Sequence, residues 1–386
     1  MSINTTNVKL FIGQAFIVAG STLLSLLYPL VLYDQTHSTA LLGISMMLNE
    51  LAVGLGSYVW GRIIDRVRER YIFFIILPVS GIGITLLIFD TSLGLVGYAL
   101  LGFFTALDSP IYSILLLERF SMDKAVVANS MLSQLSLAGN IIGSIMGTFK
   151  LKFFTIIIFF TIAAVLNAIL IPRYKGDIRE DKVERIRDTR RLLKPLISYS
   201  IFNLSAEVFY VVYIPLLNLL TLPSWTYFVS YTILYMIDEY IYYISPNLVR
   251  DNELYYIFIS IALRGFLVAL VGYLLFMKIN FSFLTVLLFI SFGSLYPLYN
   301  TALFSLIFKD LKKNRGSILG LFSAGNNLAS AMGSYLSGLV NPMSISQAYF
   351  FSFFGFSLSF FIMYDYISEK RQRVENKKKV IVSNST

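Results

Sequence analysis

A chain broken into twelve apolar runs of about twenty residues has few folds open to it. The runs are residues 9–32, 41–60, 71–89, 93–117, 126–149, 153–171, 195–220, 225–248, 255–277, 280–308, 316–340 and 345–367. About twenty apolar residues in a helix cross the hydrocarbon core of a bilayer. Lipid offers no partner to an unpaired backbone N–H or C=O, so each run is expected to be a helix. The composition agrees: 56% of residues are hydrophobic and 14% charged, against about 25% charged in soluble domains. That deficit points to an apolar exterior as well as an apolar core. The tenth run is long and contains Pro297, which predicts a kink. The first run is itself a span, so no cleavable signal peptide is expected.

The formal net charge of +9 could be read as a nucleic-acid footprint, but its distribution says otherwise. With the N-terminus placed in the cytoplasm, 27 of the 31 Lys and Arg residues fall in cytoplasmic segments. The outer loops hold Lys150, Lys152 and Lys278, and Arg264 lies inside the ninth span. This is the positive-inside pattern of a multi-pass protein of the cytoplasmic membrane with both ends inside. The basic charge then reads as a topology signal and a contact with anionic lipid, and no nucleic-acid partner is expected.

The stretch RYKGDIREDKVERIRDTRRLLK is the one long charged segment between spans. It divides the chain into an N-terminal six-helix unit, 1–172, a linker, 173–194, a C-terminal six-helix unit, 195–367, and a polar tail, 368–386, whose end is expected to be disordered. The two units repeat. A shift of 186 residues lays AGNIIGSIMG (138–147) on AGNNLASAMG (324–333), Pro29 on Pro215, and Asp65 on Asp251. A shift of 187 lays PIY (110–112) on PLY (297–299). Parallel repeats of this kind place a binding site between the halves near the bilayer midplane.

Between the second and third spans lies GRIIDRVRER (61–70). It resembles the cytoplasmic signature of the major facilitator superfamily, roughly G-x-x-x-D-R-x-G-R-[KR]. Gly61, Asp65, Arg66 and Arg70 match, whereas Arg68 and Glu69 depart from it. Weaker echoes are LLLERFSMDK after the fourth span and LKKNRGSILGL before the eleventh. The resemblance implies an all-α membrane protein with two six-helix bundles that rock around a central site. It also implies a cytoplasmic gate of Gly61, Asp65, Arg66, Arg70 and Glu118. In that gate Asp65 would accept hydrogen bonds at the N-terminus of the eleventh helix, near Gly316, where the dipole favours an anion. Arg62 and Arg68 are read as topology signals alone. Two departures bear on coupling. Tyr98 occupies the place of an arginine found in many proton-driven members, and Ser144 stands where antiporters carry a proline.

Ionisable residues within spans are costly and are the first candidates for function. Asp238 falls on one face of the eighth span with Tyr227, Tyr231, Tyr235 and Tyr242 at helical spacing. A carboxylate on a ring-lined face suits a cationic or aromatic compound, or serves as a satisfied polar group in a packing face. Glu239 points about 100° away. It is expected to form a structural ion pair with Arg264, because the resemblance makes the ninth helix peripheral. Glu207, Asp108 and Glu50 are midspan acids. Each is open to proton coupling, substrate contact or a structural hydrogen bond. Burial favours the neutral form of an acid, which is what coupling requires. Gln14, Asn203, Asn300, Asn140 and Asn326 are further polar candidates. Asn140 and Asn326 sit in the repeated glycine motif, which is expected to pack helices between the halves.

Enzyme chemistry finds no support. The chain has no Cys and one His, which excludes a thiolate centre or a multi-histidine metal site. It also carries no phosphate-binding loop or acyl-transfer triad, so no catalytic residue, metal or cofactor is expected. The reading is a monomeric secondary transporter that moves a small organic solute with protons or another ion. Efflux of cationic or amphipathic compounds is favoured over uptake of sugars or other metabolites and over a non-transporting sensor role.

Overall fold

The computed structural model describes residues 5–64, 91–106, 136–149, 162, 189–250, 252–310, 315–340 and 344–383. Its elements are α1 (Thr5–Thr36), α2 (Thr39–Ile64), α3 (Thr91–Thr105) and α4 (Ser136–Gly147) before the charged divider. After it come α5 (Thr189–Leu219), α6 (Trp225–Val249), α7 (Glu253–Phe276), α8 (Ser282–Gly293), α9 (Tyr296–Asp310), α10 (Arg315–Gly338) and α11 (Ile345–Ser383). The described residues contain no strand. Six stretches among them are long and apolar enough to cross a membrane. Helices α6 and α10 are not among those six. Both are diluted by polar residues, tyrosines in α6 and Ser, Asn and Gly in α10, because both face other protein and not only lipid.

The kink expected at Pro297 takes the form of a break: the tenth span is two helices, α8 and α9, separated at Ser294–Leu295. One expectation changes. The end of the tail, expected to be disordered, is helical as far as it is described: α11 runs to Ser383. After Gly355 the sequence offers neither Gly nor Pro to stop a helix, and its Lys, Arg, Glu and Gln residues are good helix formers.

Packing within each set of helices relies on small residues. In the repeated motif, a Cβ at Gly139 would lie 2.7 Å from the Ala15 carbonyl oxygen of α1. A Cβ at Gly333 would lie 2.5 Å from the Leu204 carbonyl oxygen of α5. The motif therefore packs the fifth span on the first and the eleventh on the seventh, largely within the halves and not between them as expected. Its Asn140 accepts a hydrogen bond from Thr22 at 2.6 Å. Serine pairs stitch α5 to α11: Ser352 Oγ donates to the Ser205 carbonyl at 2.6 Å, and Ser359 Oγ to that of Ser198 at 2.9 Å. The core of the C-terminal helices is aromatic, with Phe202 stacked on Tyr299 and Phe209 on Phe292, each at 3.8 Å.

The two sets of helices meet chiefly through α2 with α10 and α4 with α6. At the Thr39 end, Thr39 Oγ1 donates to the Val340 carbonyl at 2.5 Å. A Cβ at Gly43 would fall 2.5 Å from both Gly338 Cα and the Ser334 carbonyl oxygen. Alongside, Thr232 of α6 donates to Ser144 of α4 at 2.9 Å, and Gly147 leaves room for Phe228. Further along, Gly54 meets Asn327 at an ordinary 3.6 Å. Two turns further along α10, a Cβ at Gly320 would meet nothing within 4 Å among the described residues, and Gly320 is exposed. Gly320 and Gly338 are separated by a whole number of helical turns, so they share one face of α10. Along that face α2 and α10 pass from backbone contact to open space. The helices form a wedge closed at the Thr39 end.

A branched side chain at Gly43 has nowhere to go but into α10. Gly43→Val should loosen the closed end at a cost of about 1–3 kcal/mol. A cysteine placed at Ser334, which is fully buried, should then react with a thiol reagent about tenfold faster than in the Gly43 background. The chain has no native cysteine to confuse the readout. An unchanged rate would mean that the backbones are not in contact there.

Candidate functional site

The site is best built from the break between α8 and α9. In a helix the N–H of residue 297 would satisfy the carbonyl of Gly293, but Pro297 has no N–H. That carbonyl takes its hydrogen bond from elsewhere: Arg264 of α7 donates Nη2 to Gly293 O at 3.1 Å and Nε to Phe292 O at 2.9 Å. A cation at the C-terminal end of a helix also meets the negative end of its dipole. The guanidinium lies 4.4 Å from the Phe292 ring centroid and 5.0 Å from that of Phe202. The whole residue is buried. Arg264 therefore points inward from its helix, over an aromatic floor.

Its acidic neighbour is not the one expected. No ion pair joins Arg264 to Glu239 among the described residues. The carboxylate that interacts electrostatically with Arg264 is Asp238, on α6 one turn from Leu234, which packs against Gly293. The arginine is long enough to reach inward, so the side of the ninth span on which the chain enters does not decide where the charge ends up. Asp238 lies on the ring-lined face as expected. Tyr227, Tyr231 and Tyr235 follow each other at 5.0 and 5.7 Å between centroids, and Tyr242 interacts with Asp238 from the next turn.

A second acidic centre lies closer to the closed end. Glu50 of α2 and Glu207 of α5 come from opposite sides of the charged divider and interact electrostatically with each other. Glu207 accepts a hydrogen bond from Ser334 of α10 at 3.1 Å. Gly333 makes room for it, since a Cβ there would lie 2.9 Å from Glu207 Cβ. Both glutamates keep part of their surface free, as groups lining an internal cavity do. Tyr98 of α3 feels both charges. It is fixed by a hydrogen bond from its hydroxyl to the Ser25 carbonyl at 3.1 Å, and its own carbonyl accepts from Asn49 at 2.7 Å.

Tyr210 connects the two centres. It is one turn from Glu207 on α5, contacts Arg264 Nη2 at 3.5 Å, and interacts electrostatically with both Asp238 and Glu207. Tyr210 and Ser334 were not singled out as site residues from the sequence, and Arg264 was assigned to a structural ion pair. The available signals were the one-turn spacing of Glu207 and Tyr210 and the four-residue spacing of Gly293 and Pro297. Among the other polar candidates, Asn203 is buried and bonds back to the Tyr199 carbonyl at 2.8 Å, a structural role. Gly61 lies in the last turn of α2. Asp65, Arg66, Arg70, Asp108 and Glu118 lie outside the described residues.

The link from Pro297 to Arg264 has a measurable signature. Arg264→Gln should cost about 2–4 kcal/mol in thermal unfolding, because buried carbonyls lose their donors. Pro297→Ala supplies an N–H aimed at Gly293 and should return about 1 kcal/mol of that loss. If the two substitutions are additive, the guanidinium is not the substitute for the missing donor.

The sequence profile described as Major Facilitator Superfamily matches residues 10–311. No curated protein matches the chain. Among solved structures, the chain is similar to a bacterial homologue of the iron transporter ferroportin in its inward-facing state. That match has TM-score 0.72 and 15% identity, and covers 95% of this chain and 99% of the other. The outward-facing state of a bacterial ferroportin homologue gives TM-score 0.64 at 16% identity, covering 95% and 100%. The nucleoside transporter NupG, in a point-mutant form, gives 0.72 at 14% identity, covering 94% and 100%. These likenesses establish the fold, with two bundles of six membrane-spanning helices. By its sequence and its architecture, the chain belongs to the Major Facilitator Superfamily and is a multi-pass membrane transporter.

Proposed function

We propose that the chain moves a small organic solute by alternating access, with a proton held at the Glu50–Glu207 pair as the coupled ion. The observation that carries this reading is that those two acids, one from each helix set, lie near enough to interact electrostatically. They sit where α2 and α10 begin to part. Two carboxylates close together in a low-dielectric cavity repel, and one proton shared between them removes that repulsion. When the halves rock, their separation changes, so the proton and the conformation are linked. Asp108 remains a candidate for the same role.

With the N-terminus in the cytoplasm, the closed Thr39 end is the outer end and the wedge opens inward. The higher TM-score against the inward-facing relative supports that orientation of the cavity. A latch of Asp65 on the start of α10 near Gly316, with Arg66, Arg70 and Glu118, belongs to the state in which the inner end closes. The preference for a cationic solute is weakened. It rested on four midspan acids, Glu50, Asp108, Glu207 and Asp238, with no base facing inward, and Arg264 is now an inward base beside Asp238. The direction follows whichever gradient drives the cycle.

In proteoliposomes carrying an internal pH dye, solute addition should move protons in the wild type. Glu207→Gln and Glu50→Gln should each reduce that proton movement about tenfold or more, while solute-for-solute exchange continues. Proton movement that survives in both variants would remove the pair from the coupling step.

A further inference from the structure

The two charges beside the helix break are each incompletely used. Arg264 donates Nε and Nη2 to carbonyls, yet its Nη1 is buried without a hydrogen-bond partner. Asp238 Oδ1 is buried without one as well. The two groups feel each other's charge but form no ion pair within 4 Å. A buried charge that lacks a partner is costly, by several kcal/mol per ion. Here an acid and a base stand close enough to interact and too far apart to satisfy each other.

The space around them is shared. Tyr210, Tyr242 and Tyr296 each interact electrostatically with both Asp238 and Arg264. All three are half-buried, as are Tyr231 and Tyr235, so the chamber has ring walls and one charge of each sign. The Tyr210 hydroxyl covers the guanidinium through a contact at 3.5 Å, at the outer limit of a hydrogen bond. That contact is readily exchanged for a stronger acceptor.

We infer that this chamber is the subsite for a zwitterionic solute, an amine–carboxylate of amino-acid size. Its ammonium binds Asp238, its carboxylate spans the guanidinium edge by taking the unpartnered Arg264 Nη1 and displacing the Tyr210 hydroxyl from Nη2, and its side chain lies against Tyr231 and Tyr235. The inference rests on the reading that the chain moves a small organic solute. A plain cation would leave Arg264 unmatched, a plain anion would leave Asp238 unmatched, and a sugar would offer only dipoles to two full charges. Charge-assisted hydrogen bonds at both ends are the stronger complement.

The test uses the purified full-length protein in detergent and thermal unfolding as the first readout. The probes are the protein amino acids, phenethylamine and 3-phenylpropionate as versions of phenylalanine that each lack one charged end, and glucose. At least one amino acid is expected to raise the melting temperature, with no rise from the other three probes. Asp238→Asn, which keeps shape and needs no refolding of the break, should weaken that ligand about tenfold. Arg264→Lys should do the same where it folds. A response to phenethylamine, 3-phenylpropionate or glucose that equals or exceeds that of every amino acid overturns the proposal. So does no response at all, or an Asp238→Asn variant that binds as the wild type does. Counterflow in proteoliposomes separates the two layers. An amino acid that binds but is never exchanged sinks the transport reading and leaves the subsite standing. Exchange of glucose or an amine alone does the reverse.

Discussion

One backbone carbonyl that its own helix cannot satisfy organises the C-terminal helices. Inside a membrane every such group needs a partner, and Pro297 removes the partner of Gly293. The arginine that fills the gap must be charged, inward and buried, which forces its surroundings to be polar or aromatic. Phe202, Phe292 and Tyr296 supply faces for the guanidinium. Asp238 supplies opposite charge from the neighbouring helix. A break that would be a defect in a lipid-facing helix becomes, against α6 and α7, the source of an interior charge. Discontinuous helices mark binding sites in transporters for this reason.

The arrangement also explains why polar residues are so unevenly spread. The apolar stretches of α1, α2, α5 and α7 are read easily as spans because lipid and aromatic core ask the same thing of them. α6 and α10 are less apolar because one face of each is exposed to neither lipid nor core. α6 turns tyrosines toward the cavity, and α10 turns Gly338, Ser334 and Asn327 toward α2 and α5. Small residues where backbones touch and hydroxyls where acids need donors cannot both be apolar.

The span count, the charge asymmetry and the duplicated unit were legible in the sequence, because each depends on local composition or on spacing. Glu50, Glu207 and Asp238 were visible as costly residues within spans. Their partners were not. Whether Glu50 meets Glu207 depends on how residues 157 positions apart are brought together, which no local pattern encodes. Glu239 was assigned to Arg264 on helical phase and on a peripheral placement of the ninth span, and both inputs ignore the reach of an arginine side chain. The repeated glycine motif was read as contact between halves, when duplication more naturally reproduces contacts inside each copy. Gly139 and its equivalent Gly325 show that reproduction directly, each against the first helix of its own set.

The continuation of α11 to Ser383 gives the protein a handle. A helix of that length extends for about 58 Å, roughly twice the hydrocarbon thickness of a bilayer. Its membrane part is fastened to α5 by the serine pairs, and at the boundary Lys194 holds Asp365 at 2.6 Å and Glu369 beside it. The projecting segment is thus continuous with a body and not a tether. Any tilt of the C-terminal helices is carried outward along a stiff arm, where about 10° at the base becomes a displacement of about 10 Å at the tip. A chromophore fixed at that tip would act as the pointer of a gauge, turning a small angular change deep in the bilayer into a distance large enough to read from outside it.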